Sequence, residues 1–490
     1  MLVRNIHEIA VSSPNKIAII CNDIEVSYFA YSNGIQQMTS FLRARNLPAD
    51  RTAVIVDMDP SVQWVVILAA RSLGLNTVVV RSLEHIGALD IKDCACVVTP
   101  EHYQFSPQDI LNIFPGIEPI VIADRFCFRQ PQNLLPLHER SHQFGGHIVY
   151  TSGTTGAYKK VLYEGVHEVQ RNIQRAKLQH FTQETVLQAL NFGLWTGYGF
   201  RNPSAVWSAG GCVVLDRRVN WPKHFHSHEV NVAYLTPQTL KELLVFNNNL
   251  AYPNSKLTLY VGGGPLSLDL AERATRKLTT DLRIHYATTE IQGPILRSTY
   301  KSVSDLFWLE SVLEKRVQVV NEKGDECACG QEGELRIELS EIDPKFYMDD
   351  EMTSAKFFRN GYFYPGDMAT KREDGCIKIL GRTADVINIQ GNKTAVAPIE
   401  LWIQSLLGAD EVCVFSRLND NGSEVLIIAV ESQKELSKSD LEIVGNNFKQ
   451  FAKVLVVTLK QFPRTQAGLN KVNRRALRHH IFGEMDKRDI

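Results

Sequence analysis

The run Tyr150-Thr151-Ser152-Gly153-Thr154-Thr155-Gly156-Ala157-Tyr158-Lys159-Lys160 gathers glycines, hydroxyls and a basic end into one short segment. Glycines let main chain approach phosphate oxygens, successive N–H groups form an anion-binding concavity, and hydroxyls add donors. The chemistry this predicts is phosphate binding. It is not that of a Walker loop, which needs its lysine directly after the second glycine and a Ser or Thr next. Here Ala157 and Tyr158 separate Gly156 from Lys159, and Lys160 follows. Taken alone, such a segment also reads as a polar surface turn, so its neighbours in the sequence decide.

Those neighbours are Val261-Gly262-Gly263-Gly264-Pro265-Leu266, Tyr286-Ala287-Thr288-Thr289-Glu290, Gly361-Tyr362-Phe363-Tyr364-Pro365-Gly366-Asp367, a long stretch from Gly381 through Arg382, Ala384 and Lys393 to Glu400, and Pro463 to Leu477. Singly each has a bland reading, as flexible glycines, a solvated glutamate or a turn aspartate. In this order they resemble the superfamily of AMP-forming ligases, which holds acyl- and aryl-CoA synthetases, nonribosomal peptide synthetase adenylation domains and luciferases.

The resemblance implies an ATP-dependent acid ligase that forms an acyl-adenylate, releases pyrophosphate and passes the acyl group to a thiol. It implies that Thr151, Ser152, Gly153, Thr154, Thr155, Gly156 and Lys159 cover the β- and γ-phosphates. Gly262, Gly263 and Gly264 lie beside adenine and the acyl carbonyl, and Tyr286, Ala287 and Thr288 continue the nucleotide site. Thr289 is placed on phosphate, Glu290 towards Mg²⁺, Asp367 on the ribose diol and Arg382 with the nucleotide, while Lys471 is the catalytic lysine. The acceptor is coenzyme A or the phosphopantetheine arm of a separate acyl carrier protein, because no attachment site follows Leu477. The charge argument agrees. A carboxylate attacking the α-phosphorus joins two anions, so cationic and N–H donors must meet there.

Several positions depart from the family pattern. Tyr158 replaces a small residue or proline, Pro365 a threonine, and Ala384 the usual Asp or Lys of the interdomain hinge. Leu469 and Asn470 separate Gly468 from Lys471. The family builds its acid pocket near Leu190 to Gly199, where Asn191 stands in place of the aspartate that holds an amino acid's ammonium. With Asn191, Phe192, Trp195, Gly263 and Tyr286 as acid-binding residues, an aryl or other small acid is expected. The alternatives are an amino acid-activating enzyme and an inactive nucleotide-binding relative.

The elements that must position these groups follow from periodicity. Thr52–Val56, Thr77–Val80, Cys96–Val98, Ile120–Ile122 and His147–Tyr150 read as buried strands, with a helix from Ser61 to Leu73. Such alternation predicts an α/β fold: a large domain of helix-flanked, mainly parallel sheets. Residues 131–136 and 141–146 read as surface loops, and Asp374-Gly375 as a hairpin turn. Beyond it a smaller α+β pattern appears, with strands at Val412–Phe415, Val425–Val430 and Val454–Thr458 and a helix over 440–452. The expected domains are therefore residues 1–381, carrying the ATP and acid sites, and a mobile part, 382–490, carrying Lys471.

The 490 residues hold 53 Lys plus Arg against 54 Asp plus Glu, a balance that gives no reason to expect nucleic acid or an anionic membrane as partner. No apolar run reaches the roughly 18 residues of a membrane span, and the N-terminal residues lack a secretory pattern. Nine cysteines without C-x-x-C spacing suit a reducing cytoplasm. The pairs Cys94/Cys96 and Cys327/Cys329 read as structural, and His224 to His228 as a polar surface segment.

Overall fold

Thr52–Val56 is a strand buried along its length, paired in parallel with Asn76–Val80 on one side and Cys94–Pro100 on the other. The computed structural model describes residues 1–102, 106–117, 119–123, 132–138, 144–152, 158–188, 192–215, 228–246, 253–312, 316–383, 385–389, 392–418, 424–433, 436–448, 451, 453–464 and 472–485. These form two compact units, Met1–Gly264 with Leu270–Pro294 and Leu339–Ala355, and Pro265–Asp269 with Ile295–Glu338 and Lys356–Ile490. The boundary expected at 381/382 falls inside the second.

The first unit holds two sheets. One runs Pro119–Ile122, Cys94–Pro100, Thr52–Val56, Asn76–Val80, His147–Ser152 and Tyr158–Tyr163. All are parallel except the last, which returns antiparallel from its neighbour. The other contains, in spatial order, Thr279–Tyr286, Asn254–Gly262, Val232–Leu235, Val186–Gln188, Cys212–Val214, Ile17–Cys21 and an antiparallel Ile24–Ser27. The expected parallel architecture is present.

Helices cover these sheets, and one, Pro60–Ser72, is buried at every position. Asp59 caps it by accepting the Ser61 N–H at 2.9 Å, and Pro60 occupies the first turn, where no donor is needed. Its Trp64 stacks on Phe200 at 5.4 Å and meets Trp207 edge-on at 4.8 Å, both from the helix Gly197–Ser208. The Trp207 indole donates to the Ala18 carbonyl, so that core also grips the second sheet.

The reading of residues 141–146 as a surface loop is overturned at Gly145 and Gly146, which are buried; residues 141–143 lie outside the described residues. A Cβ on Gly145 would sit 1.8 Å from the Leu75 carbonyl oxygen. The Arg71 carbonyl and Nε take up the N–H and carbonyl of Gly145. Here the glycines serve close packing. Cys94 and Cys96 are buried on a strand, whereas Cys327 and Cys329 lie in a turn-rich segment. His224 to Ser227 lie outside the described residues; His228 faces Asp23 at 3.3 Å.

In the second unit, antiparallel strands Glu332–Glu338, Asp367–Lys371 and Ile377–Arg382 lie side by side in one sheet, the last at the end of its strand order. The Asp374-Gly375 turn closes its hairpin as expected, with Gly375 at φ +85°. A three-stranded sheet follows, Glu411–Leu418, Glu424–Glu431 and Lys453–Leu459. The middle strand is buried on both faces, Leu426, Ile428 and Val430 in one cluster and Val425, Ile427 and Ala429 in another. The helix expected over 440–452 is instead Lys438–Asn446, begun early by a reciprocal Ser437/Asp440 cap.

Arg474 ties together motif segments far apart in the chain. Its Nη1 meets Glu400 Oε1 at 2.8 Å, its Nε lies 3.5 Å from Asp385, and its Nη2 donates to the Val414 carbonyl. Glu400 also accepts the Val414 N–H at 2.7 Å, and burial, opposed by Arg474, raises its carboxyl above the ordinary range. Arg474→Met would leave that carboxylate without its cation. Chemical denaturation is expected to show a loss of about 3–5 kcal/mol, smaller at pH 5 than at pH 8 because Glu400 can then take a proton. An unchanged midpoint at both pH values would contradict this role.

Candidate active site

The hairpin from His147–Ser152 to Tyr158–Tyr163 sets Thr151 opposite Lys159 and Tyr150 opposite Lys160. Opposed residues share a face, so Lys159 emerges beside Thr151 and Lys160 on the other side. Lys160 is buried there, its ammonium 2.7 Å from Asp349 and 3.1 Å from the Asp90 carbonyl. Tyr158, the departure from the family loop, packs on Tyr150 at 5.3 Å and His85 at 5.8 Å. Gly153, Thr154, Thr155 and Gly156 lie outside the described residues, as does the side chain of Ser152.

Lys159 has its ammonium 5.1 Å from the centre of the Tyr347 ring, and the Tyr347 hydroxyl donates to Glu290 Oε1 at 2.7 Å. Through Tyr347 the basic end of the hairpin is joined to the acidic end of Tyr286–Glu290. Tyr347 and Glu290 are both buried, and Ser354 Oγ accepts the Tyr347 N–H at 2.8 Å. Sequence reading missed Tyr347, which lies in no motif; no signal in the chain would have found it.

The segment from Tyr286 to Gln292 leaves the end of the strand Thr279–Tyr286 and is pinned from three directions. Arg201 donates to the carbonyls of Thr288 and Ile291, the Tyr163 hydroxyl donates to that of Thr289 at 2.7 Å, and the Gln292 N–H donates to Asp343 at 2.7 Å. Ala287 lies within this segment. An arginine inside the apolar helix Gly197–Ser208 was the available signal for Arg201. In parallel register Gly262 stands opposite His285, which puts Gly263 and Tyr286 at neighbouring carboxyl ends of strands, where α/β sheets bind ligands. Gly263 has φ +84°, and a Cβ on Gly262 would come 2.9 Å from the His285 carbonyl oxygen, whereas one on Gly264 would only touch the Pro237 ring at 3.8 Å.

The segment 192–199, where the acid pocket was expected, is tied to the same hairpin. The Tyr150 N–H donates to the Trp195 carbonyl at 3.0 Å, and His147 Nε2 donates to that of Leu194 at 2.9 Å. Thr77 Oγ1 lies 2.8 Å from His147 Nδ1 and completes the pairing that fixes the neutral tautomer. Phe192 and Trp195 are buried; Phe192 lies 5.2 Å from Tyr198, and the Trp195 ring lies under the Arg81 guanidinium and over Gly193. Asn191 lies outside the described residues.

In the second unit, Asp367 and Arg382 face each other across a strand pair, with Arg382 Nε 3.1 Å from Asp367 Oδ1. Arg382 also donates to the Pro365 carbonyl at 2.6 Å, and Gly366 turns at φ +76°. Pro365 thus keeps its carbonyl in use where its hydroxyl is missing. Ala384 and Lys471 lie outside the described residues. The chain on either side of 465–471 is closed by a bridge between Arg464 and Val472, and Arg464 Nη2 meets both Glu431 carboxylate oxygens at 2.8 Å.

Among the described residues no cluster of three or more His, Cys, Asp or Glu side chains could hold a metal, and no helix is long and apolar enough to cross a membrane.

Residues 146–341 match the family model described as AMP-binding enzyme. The chain is 20% identical over 488 residues to a 2-succinylbenzoate–CoA ligase of Listeria monocytogenes, covering 96% of this chain and 98% of that protein. It is 23% identical over 474 residues to bacitracin synthase 3 of Bacillus licheniformis, covering 90% of this chain but only 7% of that protein's length. Among solved structures, O-succinylbenzoate coenzyme A synthetase from Bacillus subtilis, in complex with ATP and magnesium, superposes with a TM-score of 0.80 at 21% identity, covering 97% and 99% of the two chains. The fold expected from the sequence is therefore the fold found.

Burial, with Arg71 adding to it, lowers the His147 imidazole from its usual 6.5 to about 3, opposed by the hydrogen bond to Leu194. The unfolded chain therefore binds a proton below pH 6.5 that the folded chain refuses, so this contribution is complete above about pH 6.5 and is lost on acidification towards 3. Between pH 7 and pH 5 the loss is about 2 kcal/mol. His147→Gln is expected to remove this part of the acid sensitivity in denaturation measured at the two pH values. An identical pH dependence in variant and wild type would contradict it.

Proposed function

With residues 146–341 belonging to the AMP-binding enzyme family, we propose that this chain is an ATP-dependent carboxylic acid–thiol ligase acting on an aryl or other small acid. The observation that carries the reading is the Lys159–Tyr347–Glu290 connection, which joins the phosphate-loop hairpin to Tyr286–Glu290. In the first half-reaction a carboxylate oxygen attacks the α-phosphorus of ATP, the bond to the β-phosphate breaks, and pyrophosphate leaves. In the second a thiolate attacks the acyl carbon and AMP leaves.

The residues divide the work by charge. Thr151 to Gly156 and Lys159 take the β- and γ-phosphates, and Tyr286, with Gly262 to Gly264, takes adenine and the acyl carbonyl. Thr289 contacts phosphate. Asp367, buried but for its edge, accepts from the ribose diol, and Arg382 holds that carboxylate in place. A single carboxylate, Glu290, fits Mg²⁺, which takes one or two protein carboxylates and completes its shell with phosphate and water. When bound, Mg²⁺ neutralises phosphate charge. Lys471 supplies the cation where carboxylate and α-phosphate meet; before it in the chain, Arg464 is held by Glu431. Residues 382–490, with Ala384 as hinge, are the part that moves between half-reactions.

The acceptor is coenzyme A, as the name of the Listeria relative supports. A carrier-protein phosphopantetheine is the second reading, favoured by the match to a peptide synthase. All eight described cysteines are free thiols, in keeping with a cytoplasmic location.

Product analysis tests the reading: with ATP, Mg²⁺, a panel of acids and coenzyme A, AMP and pyrophosphate are expected, and ADP with phosphate, or no turnover, overturns it. Lys471→Ala is expected to cut adenylate formation about 10²–10³-fold, as for loss of one preorganised charge, and to leave thioester formation from a supplied acyl-adenylate nearly intact. Both half-reactions at wild-type rates would remove Lys471 from the mechanism, and Glu290→Gln should weaken the dependence on Mg²⁺.

A further inference from the structure

Beneath the acid-pocket segment lies a cluster of buried polar groups in which several N–H and O–H donors have no acceptor among the described residues. Arg175, from the helix Glu168–Gln179, is 2% exposed; its Nη1 donates to Asn202 Oδ1 at 2.8 Å, and its Nη2 has no partner among the described residues. Asn202 is wholly buried, and its Nδ2 also lacks a partner among the described residues. The hydroxyls of Tyr198 and Tyr234 are buried and likewise unpartnered among the described residues, and their rings lie 5.5 Å apart.

Charge points the same way. Among the described residues no carboxylate is paired with Arg175, or with its neighbour Arg201, whose donors go to main-chain carbonyls. Burial, then repulsion from Arg201, lowers the Arg175 guanidinium to about 10, with the nearby tyrosines opposing. Burying polar groups without partners costs free energy, and a buried cation costs more. Such a set is retained where a ligand supplies the acceptors, and a carboxylate offers two oxygens and the missing charge. Tyr198 connects the cluster to the pocket, for its ring touches Phe192.

We infer that the acid this chain activates carries a second carboxylate, remote from the reacting one, which docks on Arg175, Asn202, Tyr198 and Tyr234. The inference rests on the ligase reading and narrows its substrate class to dianionic small acids.

The test is pyrophosphate release by the full chain with benzoate and its 2-, 3- and 4-carboxylated forms, and with butyrate beside glutarate. At least one dianion is expected to exceed its monoacid in kcat/KM by about 10–100-fold, the range for a buried charge-assisted contact. Tyr234→Phe, which preserves ring and packing, should reduce that ratio about 3–10-fold, and Arg175→Gln should abolish it. The ratio is the readout, so a general loss of stability does not imitate the effect. Equal or poorer use of every dianion by the wild type overturns the inference and would assign the cluster to ordered water, while the ligase reading stands. So does a ratio unmoved by Tyr234→Phe when Arg175→Gln is too unstable to assay. Failure of all acids, mono- and dianionic, to release pyrophosphate overturns the ligase reading and the inference together.

Discussion

Arg201 donates its buried guanidinium protons to carbonyls rather than to a carboxylate, and the position of Tyr286–Gln292 depends on it. A cation in that role must be held by a tightly packed helix, and it is: a Cβ on Gly197 would meet the Arg201 guanidinium at 2.5 Å. Once that segment is fixed, Glu290 can meet Tyr347, Tyr347 can meet Lys159, and the hairpin strand carrying Lys159 acquires a defined distance to an acidic group. His147 performs the matching task on the opposite flank, with neutral donors instead of charge. Catalysis that stabilises developing charge requires dipoles fixed before the reaction begins. These buried clamps are the means by which this chain fixes them.

Much of this was legible in the sequence, for physical reasons. Buried parallel strands must be near-continuous β-branched runs, so Thr52–Val56 and its neighbours announce themselves. Glycine runs and the Asp374-Gly375 turn declare backbone states that few other residues can adopt. What stayed hidden was contact at long range. Nothing in the chain says that Tyr347 reaches Glu290, or that Arg474 pairs with Glu400 and thereby makes structural use of two motif segments. Gly145 was misread because a glycine in a polar stretch resembles a loop, whereas its role is to let Arg71 and Leu75 approach the main chain.

The inferred docking of a second carboxylate at Arg175 would set substrate choice apart from catalysis. The motif residues Thr151, Gly262, Tyr286 and Asp367 lie on strands or at their ends, while Arg175 and Asn202 sit on helices outside every motif. Selectivity of this kind comes from leaving polar groups unmatched when the wrong acid binds, a penalty that apolar pockets cannot impose. A family that shares nucleotide chemistry can in this way diversify its acids without disturbing the clamps.

The central claim is that a carboxylate oxygen of the acid becomes bonded to the α-phosphorus of ATP. Supplying the acid with both carboxylate oxygens as oxygen-18 and analysing the products of a complete turnover by mass spectrometry tests it directly. The account predicts one heavy oxygen in AMP and none in pyrophosphate. Unlabelled AMP, or label appearing in inorganic phosphate, would contradict it.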